Sequence, residues 1–90
     1  MEFEFDPTRS AANKVRHGID FDEALALWED VEAIEILLPF AGESRFMVIG
    51  QIDGLHWSAI ITYRGTARRI ISVRRSRANE RELYDNSKRI

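Results

Sequence analysis

The chain has no cysteine. That excludes disulfides, thiolate metal sites and a cysteine nucleophile. Its two histidines, His17 and His56, stand far apart with no ligand spacing around them, so no metal site and no cofactor are expected. No apolar run approaches the roughly 18 residues of a membrane span. The acidic start, Met1 to Asp6, lacks the pattern of a secretory leader. A cytoplasmic protein with no membrane contact is the expectation. The two prolines, Pro7 and Pro39, fall where one element gives way to another. No repeat, linker or low-complexity tract divides the 90 residues, which read as one domain, 1–90. A chain of this size buries roughly 65% of its unfolded surface, enough for a core without staples.

What is present is arginine, 11 against 2 lysines, and it is unevenly placed. Residues 1–63 carry 4 basic and 12 acidic side chains, a balance of −8, whereas residues 64–90 carry 9 and 3, a balance of +6. Seven arginines lie between Arg64 and Arg81, where Glu80 is the only acid. The net charge of −2 conceals this split. Arginine presents a rigid donor fork that fits phosphate, so a phosphate-rich ligand such as RNA is the first candidate. The plainer alternative is a solvated basic edge that pairs with the acidic half.

Hydrophobic periodicity divides the chain near residue 32. Phe3 and Phe5 alternate with acids, as in a short strand with one apolar face. Asp6 and Pro7 start a helix as N-cap and first residue. It runs to about Arg16, with Ala11, Ala12 and Val15 inward, and Gly18 ends it. Asp20 and Glu23 form a capping-box variant before a second helix. There Phe21, Ala24, Leu25 and Trp28 make an apolar stripe.

Strands follow at Ala33–Leu38, Arg45–Ile52, Leu55–Tyr63 and Arg68–Arg75. Asp53-Gly54 marks a type I′ hairpin. It pairs Ile52 with Leu55, Gly50 with Trp57, Val48 with Ala59 and Phe46 with Ile61 on an apolar face that should meet the helices. The opposite face holds Met47, Ile49, Gln51, His56, Ser58, Ile60 and Thr62. A last helix spans about Arg77 to Asn86, capped by Ser76. The expected class is α+β: two N-terminal helices on a mainly antiparallel meander, with a C-terminal helix.

Several strings together resemble a known family. They are Phe3-Glu-Phe-Asp-Pro7, Ala12-Asn13 with His17-Gly18-Ile19, Phe21-Asp-Glu-Ala24, Arg45-Phe-Met-Val-Ile-Gly50, Arg69-Ile-Ile-Ser-Val-Arg-Arg75, and Glu80-Arg81 with Tyr84. In this order and spacing, over about residues 3 to 85, they resemble the BrnT toxins of type II toxin–antitoxin modules. Phe5 stands where tryptophan is frequent, and Arg9 and Arg16 where lysine is frequent. The resemblance implies a fold similar to RelE-type ribonuclease toxins. It implies control by a BrnA-like antitoxin that binds operator DNA, so that the toxin meets DNA only indirectly. The implied activity is endoribonuclease cleavage that inhibits translation.

Metal-independent RNA cleavage needs a base for the 2′-OH, donors for the charge that builds on phosphate, and an acid for the leaving oxygen. The candidate catalytic residues are His17, Arg74, Glu80 and Tyr84. The candidate phosphate ligands are Arg69, Arg75, Arg77, Arg81 and Lys14. His17 ends the first helix, and its bland role is a cap. Glu80 is either a proton carrier or a buttress for an arginine. Tyr84 shares its helix face and either stacks on a base or covers the sheet. His56 is expected to be structural. Two other functions fit the charge pattern: a non-catalytic module whose basic surface binds an antitoxin or nucleic acid, and a structural domain whose halves self-associate.

Overall fold

The computed structural model describes residues 2–39 and 41–87. They form an α+β domain with a five-stranded mixed sheet and three helices. The strands are β1 (Glu2–Glu4), β2 (Ile34–Leu38), β3 (Arg45–Ile52), β4 (Leu55–Arg64) and β5 (Ala67–Arg75), and their order in the sheet is β1-β5-β4-β3-β2. β2 to β5 run as an antiparallel meander. β1 differs from that expectation, because it joins β5 in parallel, Phe3 opposite Arg68. The first strand returns to the last, so the chain's start closes one edge of its end.

The hairpin register is the one the sequence predicts, Val48 opposite Ala59 and Phe46 opposite Ile61. Asp53 and Gly54 take φ of 51° and 78°, the positive pair that a type I′ turn needs. Between β4 and β5 the ladder slips at Ile60/Ile61. Ile61 faces Ile70 and Ile60 faces Ser72, so Ile71 is an extra, bulged residue.

Helix α1 (Pro7–His17) starts with Asp6 accepting a bond from the Thr8 amide, and ends at Gly18 in the left-handed region. Its inward face is not the expected one. Ala11 and Ala12 are exposed, and Val15 is 90% exposed. Ser10 and Asn13 are buried instead. The reason is what this face meets: the backbone of β5 beyond the end of β1, and the turn into the next helix. Asn13 Nδ2 donates to the carbonyls of Val73 (2.9 Å) and Ile19 (2.8 Å), and its Oδ1 accepts from the Val73 amide. Ser10 Oγ accepts from the Phe21 amide. Backbone groups of an open edge need polar partners when buried, so the helix turns amide and hydroxyl inward.

The second helix is also shorter than expected. The Asp20–Glu23 capping box forms, but α2 covers only Phe21–Ala24 and passes into a 3-10 segment, Leu25–Glu29. In 3-10 geometry residues three apart eclipse, which fits Ala24 and Leu27, both fully buried. Leu25 and Trp28, expected in the stripe, are half-buried beside it. This segment lies so close to β3 that a Cβ on Gly50 would meet Leu27 Cδ2 at 3.1 Å.

The core sits between α1, α2, the 3-10 segment and one sheet face: Ile19, Phe21, Leu27, Val48, Ala59, Ile61, Ile70 and Val73. Helix α3 (Ala78–Asn86) follows β5 and covers one end of the opposite face. There Ile49 is fully buried. Met47 and Ile60 remain half-buried.

Candidate functional site

The charged residues of β5 fall into two clusters. The first is the junction of β5 with α3. Arg74 and Ser58 are opposite each other on the face that α3 covers. Glu80, 5% exposed, points back from the first turn of α3 onto both. Arg74 Nη1 and Nη2 donate to the two carboxylate oxygens at 2.7 and 2.8 Å. Ser58 Oγ donates at 3.0 Å, and the Arg77 amide at 2.9 Å. Three of these bonds converge on Oε1 and one reaches Oε2. The Arg74 guanidinium, aided by the Arg77 amide and Ser58, holds the Glu80 carboxyl down at about 2 despite burial, and Glu80 raises Arg74 in return. Glu80 is therefore ionised at neutral pH and committed to Arg74 through both of its oxygens. Of the two roles expected for it, proton carrier and buttress for an arginine, this geometry fits the buttress that orients Arg74. Arg74 also donates Nη1–H to the Arg75 carbonyl. Of its five N–H groups, Nε–H and one hydrogen of Nη2 have no partner among the described residues.

Other predicted residues separate from this point. Ser76 does not cap α3, because its Oγ is bonded to Ser58 Oγ and Arg77 takes the N-cap position. Arg81 Nη1 donates to the Ser76 carbonyl. The Arg77 side chain is exposed at the start of α3. Arg75 lies on the other sheet face, over the Trp57 ring at 5.5 Å, so it cannot share a phosphate with Arg74. Tyr84 is 1% exposed. Its hydroxyl donates to Asp30 Oδ2 at 2.7 Å, and its ring stands edge-on to His56. Neither base stacking nor contact with a reacting phosphate is open to it, and it serves to anchor α3. His56 bonds Gln51 and Asp85 as a structural histidine.

The second cluster is a groove between α1 and β5. Arg9, Asn13 and Arg16 fall at i, i+4 and i+7 on one helix face. With His17, Ile71 and Ser72 they line a cavity of about 270 Å³. His17 is exposed here, within a groove whose floor is the bulge of β5. Arg9 and Ile71 also line a neighbouring cavity of about 250 Å³, walled by Arg45, Arg64 and Arg69. Lys14 does not join them. It is on the far side of α1, where Glu23 holds it at 2.8 Å beside Asp20 and Asp22. Arg9, Arg16, Arg45 and Arg64 were not among the expected ligands. The helix spacing of 9, 13 and 16 was the available signal for Arg9 and Arg16, whereas Arg45 and Arg64 reach the cavity only through the fold.

Among the described residues no helix is long and apolar enough to cross a membrane. An arginine-lined groove beside a preset arginine makes a surface whose field attracts anions. The comparison with known families is more specific: residues 5–80 match the ribonuclease toxin, BrnT, of type II toxin–antitoxin system, and the chain belongs to that family. Membership makes it the toxin of such a module and implies ribonuclease chemistry, an RNA substrate and an antitoxin partner. No curated protein matches the chain.

Proposed function

We propose that this toxin is a metal-independent endoribonuclease of RelE-like fold that cleaves RNA through the 2′-OH and so inhibits translation. The observation that carries the proposal is the Glu80–Arg74 fork, which fixes a guanidinium and leaves two of its hydrogens unused. Those hydrogens bond the non-bridging oxygens as charge builds on them, an electrostatic gain made without reorganisation. His17, exposed in the adjoining groove, takes the 2′-OH proton. The 2′-oxygen bonds to phosphorus as the bond from phosphorus to the 5′-oxygen breaks. The 5′-oxygen regains a proton from water, and a 2′,3′-cyclic phosphate remains. Ser72, in the His17 cavity, and Arg74 are two residues apart on one strand face, about 7 Å along it, close enough for one phosphodiester to span both. Arg69, Arg77 and Arg81 hold neighbouring phosphates. Arg75 and Lys14 face elsewhere.

The test is incubation of the purified toxin with RNA, with and without EDTA, beside Arg74→Ala and Arg74→Lys. Arg74→Lys keeps a cation for Glu80 but loses the fork. Cleavage that persists in EDTA, and falls about 10²–10³-fold in both folded variants, is expected. RNA left intact, free and ribosome-bound, by protein that still binds its antitoxin overturns catalysis in favour of a purely interacting module.

The antitoxin is a BrnA-like protein that masks the basic face, and the complex represses its own operon through the antitoxin's DNA-binding part. Half-buried Met47 and Ile60 lie on the same sheet face as Arg69 and Arg74, so an acidic, partly apolar segment suits it. Binding of the neighbouring gene's product should weaken with salt. It should weaken again in Met47→Asp and in the Arg74/Arg75→Ala pair. No binding by the wild type discards this partner.

A further inference from the structure

Arg69 does not stand alone: Arg9, Arg45 and Arg64 ring the same cavity. Its four arginines come from α1, β3, β4 and β5, so only the fold brings them together. The partners of Arg64 and Arg69 are weak. Glu4 Oε1 lies 3.3 Å from Arg69 Nη1 and 4.0 Å from Arg64 Nε, and Glu43 Oε1 lies 3.7 Å from Arg64 Nε. All three distances are long for a charge-assisted bond, which is ordinarily about 2.7–2.9 Å. Both carboxylates are more than 40% exposed, where water and salt screen the pairing. Glu43 stands in the short connection before β3, which Thr62 Oγ1 holds by donating to the Ser44 carbonyl. Arg9 and Ile71 join this cavity to the one that contains His17.

We propose that this cavity is a phosphate subsite for a nucleotide flanking the scissile bond, and that Glu4 and Glu43 are stand-in anions displaced when the RNA backbone enters. The inference rests on the ribonuclease reading and extends it along the strand. Asp6 also lines the cavity, but its Oδ1 accepts from the Thr8 amide as the cap of α1, and a phosphate accepts from several guanidinium groups at once, which the exposed, poorly aligned Glu4 and Glu43 do not. The chain's own acids also keep the cluster from repelling itself while it is empty. The low net charge of the whole protein is thus compatible with tight local binding.

The test uses a fluorescent 2′-O-methyl RNA oligonucleotide, which binds without being cut because it has no free 2′-OH. Affinity is measured across a range of salt for the wild type, Arg64→Gln, Arg69→Gln, Glu43→Gln and Asp53→Asn. Each arginine variant should weaken binding and reduce the slope of log K against log salt by about 0.7, the loss of one single-strand phosphate contact. Glu43→Gln should tighten binding several-fold, because a competing anion is gone. Asp53→Asn removes the same charge at the hairpin tip, about 23 Å along β3, in a turn that accepts asparagine, and controls for net charge. A wild type that binds and cuts RNA, with affinity and slope unchanged in both arginine variants, overturns the subsite alone. Equal tightening by Glu43→Gln and Asp53→Asn overturns it too. A wild type that neither binds nor cuts RNA removes the ribonuclease reading and the subsite together.

Discussion

Arg74 and Arg69 stand on the same face of β5 and are held in opposite ways. Arg74 is clamped by a buried carboxylate with two short bonds, and that carboxylate is itself held by Ser58 and the Arg77 amide. Arg69 meets Glu4 through one bond of 3.3 Å at a wet rim. Two like charges on one strand thus carry two kinds of pairing. The buried one is costly to break, because removing a partner strands a charge away from water. The exposed one costs little to exchange, because water replaces either partner. A rigid arginine suits a reacting phosphate that must be met in one geometry. An arginine with a replaceable partner suits a passing phosphate.

The comparison is broken most severely by Glu80→Ala. It leaves Arg74 half-buried without its carboxylate and should cost about 3–5 kcal/mol. The midpoint of urea unfolding would show it as a large fall. The matching change at the rim, Glu4→Ala, should barely move it.

Acid comes next. The Glu80 carboxyl is held at about 2 in the fold against an ordinary 4.5. Between those values the unfolded chain takes up a proton that the folded chain refuses. Stability from this group is therefore complete above about pH 4.5, falls as pH falls, and is gone below about pH 2, a loss of about 3 kcal/mol. Unfolding free energies measured from pH 5 to 2 should show this slope in the wild type and lack most of it in Glu80→Gln.

Asn13 lies between the two clusters and ties α1 to β5. Asn13→Ala strands the Val73 carbonyl and amide and the Ile19 carbonyl, for a cost of about 2 kcal/mol. Hydrogen exchange at the Val73 amide should speed up, and the groove of His17 should loosen while the Arg74 clamp stays.

The smallest effect belongs to Glu43→Gln, whose pairing with Arg64 is long and exposed. Its thermal midpoint should match the wild type within the effect of about 0.5 kcal/mol. A drop as large as that of Glu80→Ala would erase the distinction between the clusters.

The hairpin was legible because each of its determinants is local. Asp53-Gly54 sets the turn, and alternation on both sides of it sets the register. The caps at Asp6, Gly18 and Asp20 were legible for the same reason. Helix α1 was misread because periodicity assumes that a buried face meets apolar side chains, whereas Ser10 and Asn13 meet backbone. Tyr84 and Glu80 fell on one helix face as expected, but spacing could not say that both would be sealed against the sheet.

The sequence by itself determined the order of helices and strands, the hairpin register and the excess of arginine in its last third, since these rest on neighbours in the chain. Only the tertiary structure decided which arginines meet. Arg69 and Arg74 are five residues apart, and strict alternation would put them on opposite faces. The bulge at Ile71 adds one residue and brings them to the same face, opposite Thr62 and Ser58. Arg9, Arg45 and Arg64 come to the cavity beside Arg69 from three other elements. Such a site depends on sheet register and helix placement, which arise from packing and edge pairing between distant segments rather than from any local pattern.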